Sequence, residues 1–235
     1  AFASYTGFFV PLSPLDVQLV ALVSIVLLTV LNCRGVRLGA ITQNVLTVAK
    51  MAALVLLIVA GLALPGGSAA NLAPLWPATG SGSLAGPLGL ALIAVLWAYD
   101  GWIETTYVGS EIRDPARVLP RSIILSTVIV IALYTLASLA YVWVLSPAEV
   151  AGSTLVAADA ARVTLGEAGA AFVAVAILVS TLGANNGIIL TAARIPYAMA
   201  RGGHFFAWAG RVHLRWATPV TALVVQGAIS VALLF

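Results

Sequence analysis

Five long apolar runs dominate this sequence and limit what the chain can fold into. A transmembrane helix needs about 20 mostly apolar residues, because each residue rises about 1.5 Å and the hydrocarbon core is about 30 Å thick. We expect five such spans, followed by a sixth, truncated run. The expected spans are residues 15–31, 41–64, 88–109, 123–145, 168–193 and 219–235. The sequence therefore predicts an all-α, polytopic helical membrane protein that forms a single transmembrane domain.

The composition excludes a soluble fold. Hydrophobic residues make up 62% of the chain and charged residues only 8%, and the mean hydropathy is +1.09. A soluble domain carries about a quarter charged residues, so most of this surface must face the lipid bilayer. The net charge of +3 comes from scattered basic residues rather than a basic patch, so we expect no nucleic-acid partner. The single cysteine, Cys33, excludes an internal disulfide.

The basic residues predict which way the chain crosses the membrane. Arg162 is the only basic residue in a connector on one side, and Lys50 lies within a span. Connectors that carry many Arg and Lys stay on the cytoplasmic side. We therefore assign the side that holds all the remaining basic residues to the inner face. These are Arg34, Arg37, Arg113, Arg117, Arg121, Arg194, Arg201, Arg211 and Arg215.

The two ends of the sequence suggest an interior piece of a longer protein. The chain begins at Ala1 without a Met or a charged leader, and it stops at Phe235 inside an apolar run. We expect the remainder of the chain to supply part of any binding site.

The third run contains the strongest candidate site. Its segment from Trp97 to Glu104 reads WAYDGWIE and places Asp100, Gly101 and two tryptophans within the apolar span. Glycine costs a helix about 1 kcal/mol relative to Ala, and an Asp at the membrane centre costs about 2.5–3.5 kcal/mol. These costs predict a discontinuous helix near residues 97–102, whose free backbone groups can bind a substrate.

Two other interpretations of the third run stay open. Asp100 and Glu104 lie one helical turn apart and could simply bond to neighbouring helices. They could also form a proton relay, because paired carboxylates repel and raise one pKa.

Further candidates lie in the second and fifth runs. Lys50 could supply a fixed positive charge that couples transport to a proton, or it could only anchor the helix at the interface. Asn185 and Asn186 could line a pathway, or they could link neighbouring helices by hydrogen bonds. The sequence contains no motif for a metal, a cofactor or an enzyme nucleophile, so we expect no enzymatic activity.

Several motifs in order resemble those of amino acid permeases. They are LWAYDGW (residues 96–102), EIRDP (111–115), LPR (119–121), NG (186–187), TAAR (191–194), YAMAR (197–201) and NCRGV (32–36). The pattern is similar to the amino acid-polyamine-organocation superfamily, nearest to its L-type amino acid transporter branch. The resemblance covers nearly the whole chain.

The resemblance implies a twelve-helix carrier with two inverted five-helix repeats, of which this chain supplies the fourth to the start of the ninth helix. Trp97 then matches an outer aromatic gate. Ala98, Asp100 and Gly101 match the unwound stretch whose main chain holds the substrate's amino group. Lys50 matches a fifth-helix lysine that occupies the region of a sodium site in related carriers. Asp100 and Ile103 depart from the small residue and the Asn often found in L-type members, so the resemblance does not imply selectivity for neutral amino acids.

The expected function is secondary transport of amino acids, by proton coupling or by exchange. A channel, a scaffold subunit of a membrane complex and a polyamine or organic-cation carrier are the alternatives. An accessory subunit or a homodimer could accompany the chain. The resemblance suggests a bacterial inner membrane.

Overall fold

The computed structural model describes residues 2–73 and 84–235, which form helices joined by short connectors. The first helices are α1 (Phe2–Thr6), α2 (Pro14–Cys33), α3 (Val36–Ala63), α4 (Ala85–Ala98) and α5 (Glu104–Tyr107). The later ones are α6 (Pro115–Val144), α7 (Pro147–Gly152), α8 (Val156–Leu165), α9 (Glu167–Ala192), α10 (Arg194–Arg201) and α11 (Val220–Ala232). Short 3-10 helices cover Ala69–Leu72, Asp100–Ile103, Gly109–Glu111 and Ala207–Gly210.

Five segments of the described chain are long and apolar enough to cross a membrane. They are Pro14–Cys33, Val36–Ala63, Ala85–Tyr107, Pro115–Val144 and Glu167–Arg201. The prediction of an all-α, polytopic membrane protein is therefore confirmed.

The helices begin earlier than the apolar runs where the local sequence favours a helix start. α6 begins at Pro115, well before the expected span at residue 123, because Pro at the first helical position loses no hydrogen bond. Pro120 lies inside α6. α3 begins at Val36 because Gly35, with φ of +147°, allows a tight turn directly after α2.

The chain divides into two compact units. The first contains Ala1–Leu54 and Ala171–Phe235, and the second contains Val55–Ala170. The single transmembrane domain expected from the sequence stays a prediction.

The core of the first unit lies where α2, α9 and α11 supply apolar side chains. Its buried members are Leu28, Cys33, Ile189, Ala193, Ala222 and Leu223. α11 approaches α2 closely at Gly227, where a Cβ atom would lie 2.9 Å from Thr29 Oγ1. Small residues allow such close approach between membrane helices, which gain stability from packing rather than from water release.

The second unit is centred on the end of α6. Val144 and Leu145 are buried together with Ala160 of α8. The segment after α3 is fixed to the same place, because the Ser68 N–H and the Asn71 side-chain amide both donate to the Trp143 carbonyl, at 2.9 and 3.0 Å.

Candidate functional site

The predicted break in the third span is present. α4 ends at Ala98, residues Asp100–Ile103 form a 3-10 helix, and regular α-helix resumes only in α5. Tyr99 closes α4 by donating its N–H to the Val95 and Leu96 carbonyls, both at 3.2 Å. The prediction of a discontinuous helix near residues 97–102 is therefore confirmed.

One side of this broken segment packs against α6. The rings of Tyr99 and Tyr134 meet edge to face, with centroids 5.3 Å apart. A Cβ atom at Gly109 would lie 3.4 Å from Leu119 Cδ1. These contacts hold the break in place from one side.

The candidate binding residues lie on the free surface of the same segment. Trp97 is 84% exposed and Trp102 is 55% exposed. Ala98 and Asp100 are also exposed, and a Cβ atom at Gly101 would meet no other atom within 4 Å. The structure thus brings Trp97, Ala98, Asp100 and Gly101 together at the break, with their surroundings open.

The two carboxylates of this segment occupy different environments. Asp100 opens the 3-10 helix and is exposed, whereas Glu104 opens α5 and is half-buried. Both groups therefore belong to the irregular stretch rather than to the regular helix. An acidic pair at a helix break could bind a cation or exchange a proton.

Lys50 lies in the first unit, near the middle of α3, and is half-buried. At 1.5 Å per residue, it lies about 20 Å from either end of this helix. A lysine stem reaches the interface only from one or two turns deep. The position therefore favours a charge held within the span over an interfacial anchor.

Asn186 is fully buried and joins three helices of the first unit. It accepts a hydrogen bond from Asn32 Nδ2 at 2.9 Å, and its own amide donates to Gln43 Oε1 at 2.9 Å and to the Gly39 carbonyl at 3.3 Å. Asn32 also donates to the Leu28 carbonyl of its own helix at 2.9 Å. We call Asn32, Gln43 and Asn186 the amide cluster. These bonds favour the helix-linking role of Asn186, while Asn185 is half-buried.

Two features of the first unit do not follow from the sequence pattern. Asn32 and Gln43 are partners of Asn186 that the sequence did not identify, although amides within apolar runs are a recognisable signal. Arg194, a connector residue by the charge pattern, is only 3% exposed, and its Nη1 donates to the Leu190 carbonyl near the end of α9. A cation in this position satisfies a terminal helix carbonyl and complements the helix dipole.

Comparison with known proteins places these features in one family. The family model described as amino acid permease matches residues 1–235. The b(0,+)-type amino acid transporter 1 of Mus musculus is 34% identical over 220 residues, which cover 92% of this chain and 44% of the mouse protein. The Rattus norvegicus protein of the same name is 36% identical over 210 residues, which cover 87% of the chain and 42% of the rat protein.

A second group of relatives carries a different name. The large neutral amino acids transporter small subunit 2 of Homo sapiens is 34% identical over 217 residues, which cover 88% of this chain and 39% of the human protein. The chain thus spans less than half the length of these relatives. The broken third span, the motifs around it and the match over the whole sequence lead to one conclusion: the chain belongs to the amino acid permease family.

Proposed function

We propose that this chain is part of a secondary transporter for amino acids, and that the break after α4 binds the substrate. The observation that carries the proposal is the loss of regular helix between Ala98 and Glu104 within an apolar span. Irregular backbone at membrane depth is tolerated only beside protein or a wet cavity. An α-amino acid presents an ammonium group, which can donate hydrogen bonds to backbone carbonyls and to the Asp100 carboxylate.

Trp97 has the position of an aromatic gate in this proposal. It is the last tryptophan before the break, and its indole is exposed. Because the indole covers a large area and carries a negative π face, it can close over a bound ammonium group.

The test is uptake of a labelled amino-acid panel by proteoliposomes that hold the full-length parent protein. We expect Trp97→Ala to raise the KM for one class of amino acid by about tenfold, the loss of a contact of about 1.4 kcal/mol. Trp97→Phe should recover much of this loss because it keeps an aromatic ring. Leu92→Ala, which removes an exposed apolar side chain from the same helix, is the control. Equal kinetics for Trp97→Ala and the parent would contradict the gate.

Lys50 is proposed to couple transport to a proton or to replace a coupling cation. The support is its place near the middle of α3, where a permanent charge is costly and marks ion pathways. Uptake by Lys50→Met should no longer depend on a pH gradient. Uptake by Lys50→Arg should also be independent of pH, because the charge of arginine is permanent. Unchanged pH dependence in Lys50→Met would show that the proton does not act through Lys50.

The two carboxylates offer a second route for a proton. Asp100→Asn and Glu104→Gln each remove one titratable group from the broken segment while keeping its size. If the pair carries the proton, either substitution should flatten the pH profile of uptake even when Lys50 is present. If the pH profile of uptake changes only when Lys50 is substituted, both carboxylates serve substrate binding or helix contacts instead.

A larger accessory subunit is proposed as a partner. The support is the name of one relative, a transporter "small subunit", and a homodimer is the alternative assembly. Affinity purification of the full-length protein from its own membranes, followed by native gel analysis, distinguishes a second polypeptide from two copies of the chain. The mouse, rat and human relatives are mammalian proteins, so they give no support to a bacterial inner membrane, which stays a prediction.

A further inference from the structure

The connector between α10 and α11, residues 202–219, has a fixed backbone. Ala209 and Thr218 are fully buried. The His213 N–H donates to the Thr218 carbonyl at 2.9 Å, and Thr218 Oγ1 donates to the Cys33 carbonyl at the end of α2, also at 2.9 Å. This connector is therefore held against the rest of the first unit, and the side chains it exposes are displayed by a defined structure.

The connector exposes large apolar side chains. Leu214 is fully exposed, and Phe206 is 66% exposed. The Phe206 ring stacks on Trp208 with an interplanar angle of 9°, and His213 stacks on Trp216 with centroids 4.3 Å apart. Exposing such apolar and aromatic groups to water is unfavourable in free energy, whereas placing them at the boundary between lipid headgroups and acyl chains is favourable.

Exposed arginines flank these apolar side chains in the sequence. Arg201, Arg211 and Arg215 are exposed, and the sequence contains no Asp or Glu after Glu167. The guanidinium group of arginine binds phosphate through paired, charge-assisted hydrogen bonds. The connector thus combines phosphate-binding groups with side chains suited to lipid, and its own part of the chain supplies no carboxylate to neutralise it.

The length of the preceding span places this surface at the membrane boundary. The segment Glu167–Arg201 contains 35 residues. At 1.5 Å per residue it is about 50 Å long, which exceeds the hydrocarbon thickness of about 30 Å. The end of α10 must therefore emerge from the hydrocarbon or run along its surface, and the connector begins directly after it.

We propose that the α10–α11 connector is a binding surface for anionic phospholipids. Arg201, Arg211 and Arg215 pair with the phosphate groups, while Phe206 and Leu214 enter the boundary between headgroups and acyl chains. A negatively charged leaflet attracts basic residues at its surface, and insertion of apolar side chains adds to the attraction. This surface is independent of the broken helix and of the proposed transport site.

The test is hydrogen–deuterium exchange of the full-length parent protein in nanodiscs of two compositions. One contains phosphatidylcholine alone, and the other contains phosphatidylcholine mixed with phosphatidylglycerol. We expect amide exchange in residues 202–217 to slow by about fivefold for each arginine that engages the anionic lipid. Both leaflets carry the anionic lipid, so the result does not depend on the orientation of the chain.

Three variants separate this surface from a general effect of charge. The triple change Arg201→Gln, Arg211→Gln and Arg215→Gln should abolish the difference between the two lipids. Leu214→Ser should reduce it while all charges stay in place. The control Arg117→Gln with Arg121→Gln, which removes two exposed arginines of α6 from the same predicted face, should leave it unchanged.

Several results would overturn the proposal. They are equal exchange in the two lipid compositions, an equal loss of protection in the Arg117 and Arg121 control, and protection in phosphatidylcholine nanodiscs by inorganic phosphate alone. The last result would show a site for a soluble anion instead of a lipid surface.

Discussion

At the scale of single residues, Asn186 is the side chain that ties the first unit together through hydrogen bonds. Its amide serves Asn32, Gly39 and Gln43 at once. A Cβ atom at Gly39 would clash with Asn32 Oδ1, so a larger residue there would push the helices apart. The amide cluster therefore depends both on its amide groups and on the absence of a side chain at Gly39.

Replacing Asn186 with Leu should destabilise the protein by about 1–2 kcal/mol, because the Asn32 amide loses an acceptor and Gln43 loses a donor in a buried place. The measurement is the loss of monodisperse full-length protein with temperature in detergent. Asn185→Leu is the matched control, since Asn185 is only half-buried on the same helix. Equal thermal stability of the two variants would contradict a special role for the cluster.

Residue chemistry allowed the break in the third span to be predicted, but not the amide cluster. Asp100 and Gly101 are costly inside an apolar helix, so their presence predicted the break, which the structure shows. The partners of Asn186 could not be predicted, because Asn32 and Asn186 are far apart in sequence and many pairings of helices satisfy the same apolar pattern. The roles of Trp97, Lys50 and Glu104 stay predictions.

At the scale of elements, two helices begin with the same N-terminal capping arrangement. Ser13-Pro14-Leu15-Asp16 starts α2, and Ser146-Pro147-Ala148-Glu149 starts α7. In each case the serine accepts from the backbone of the acidic residue, and the carboxylate accepts from the serine N–H. These capping boxes fix where each helix begins.

The capping box of α7 should make this helix sensitive to acid. Hydrogen bonds from the Ser146 hydroxyl and N–H lower the pKa of Glu149 below its usual value. A lowered pKa in the folded state means that the stabilisation is complete above the usual carboxyl pKa and is lost as the pH falls through the lowered pKa. We expect amide exchange in Pro147–Gly152, corrected for its intrinsic pH dependence, to quicken in that acid range.

The matched variant for this prediction is Glu149→Gln, which keeps a side-chain acceptor but cannot titrate. Its corrected exchange should not vary with pH in the same range. A parent protein that shows no acid-induced quickening would indicate that the box does not limit the opening of α7.

Helix boundaries show why apolar pattern alone was insufficient. The runs located the spans, but α6 begins earlier because Pro115 and the preceding Asp114 form its start, with Asp114 in the left-handed region at φ of +51°. Similarly, the fifth run ends near Ala193, but a further helix, α10, follows directly, and the buried Arg194 at its start donates to the Leu190 carbonyl near the end of α9. Local capping chemistry, rather than hydropathy, decides these ends.

At the scale of the whole molecule, the distribution of arginine predicts the orientation of the chain. Residues 202–217 should face the cytoplasm and α7 should face the other side. The measurement uses single cysteines in the full-length parent protein after replacement of Cys33 and any other native cysteine, labelled in intact cells with a reagent that does not cross membranes. Gly152→Cys should react, and Leu214→Cys should react only after the membrane is opened. The reverse pattern would show that the charge bias does not set the topology.

The amide cluster also has a consequence for how the protein is made. Asn186 lies 154 residues after Asn32 and 143 residues after Gln43. At about 5–20 residues per second, the ribosome needs roughly 7–30 s to synthesise that distance. During this time α2 and α3 have entered the bilayer with amides whose partner does not yet exist. Until α9 arrives, Asn32 keeps only its bond to the Leu28 carbonyl and Gln43 only its bond to Thr47 of its own helix. We therefore expect α2 and α3 to pack fully only after α9 has been inserted.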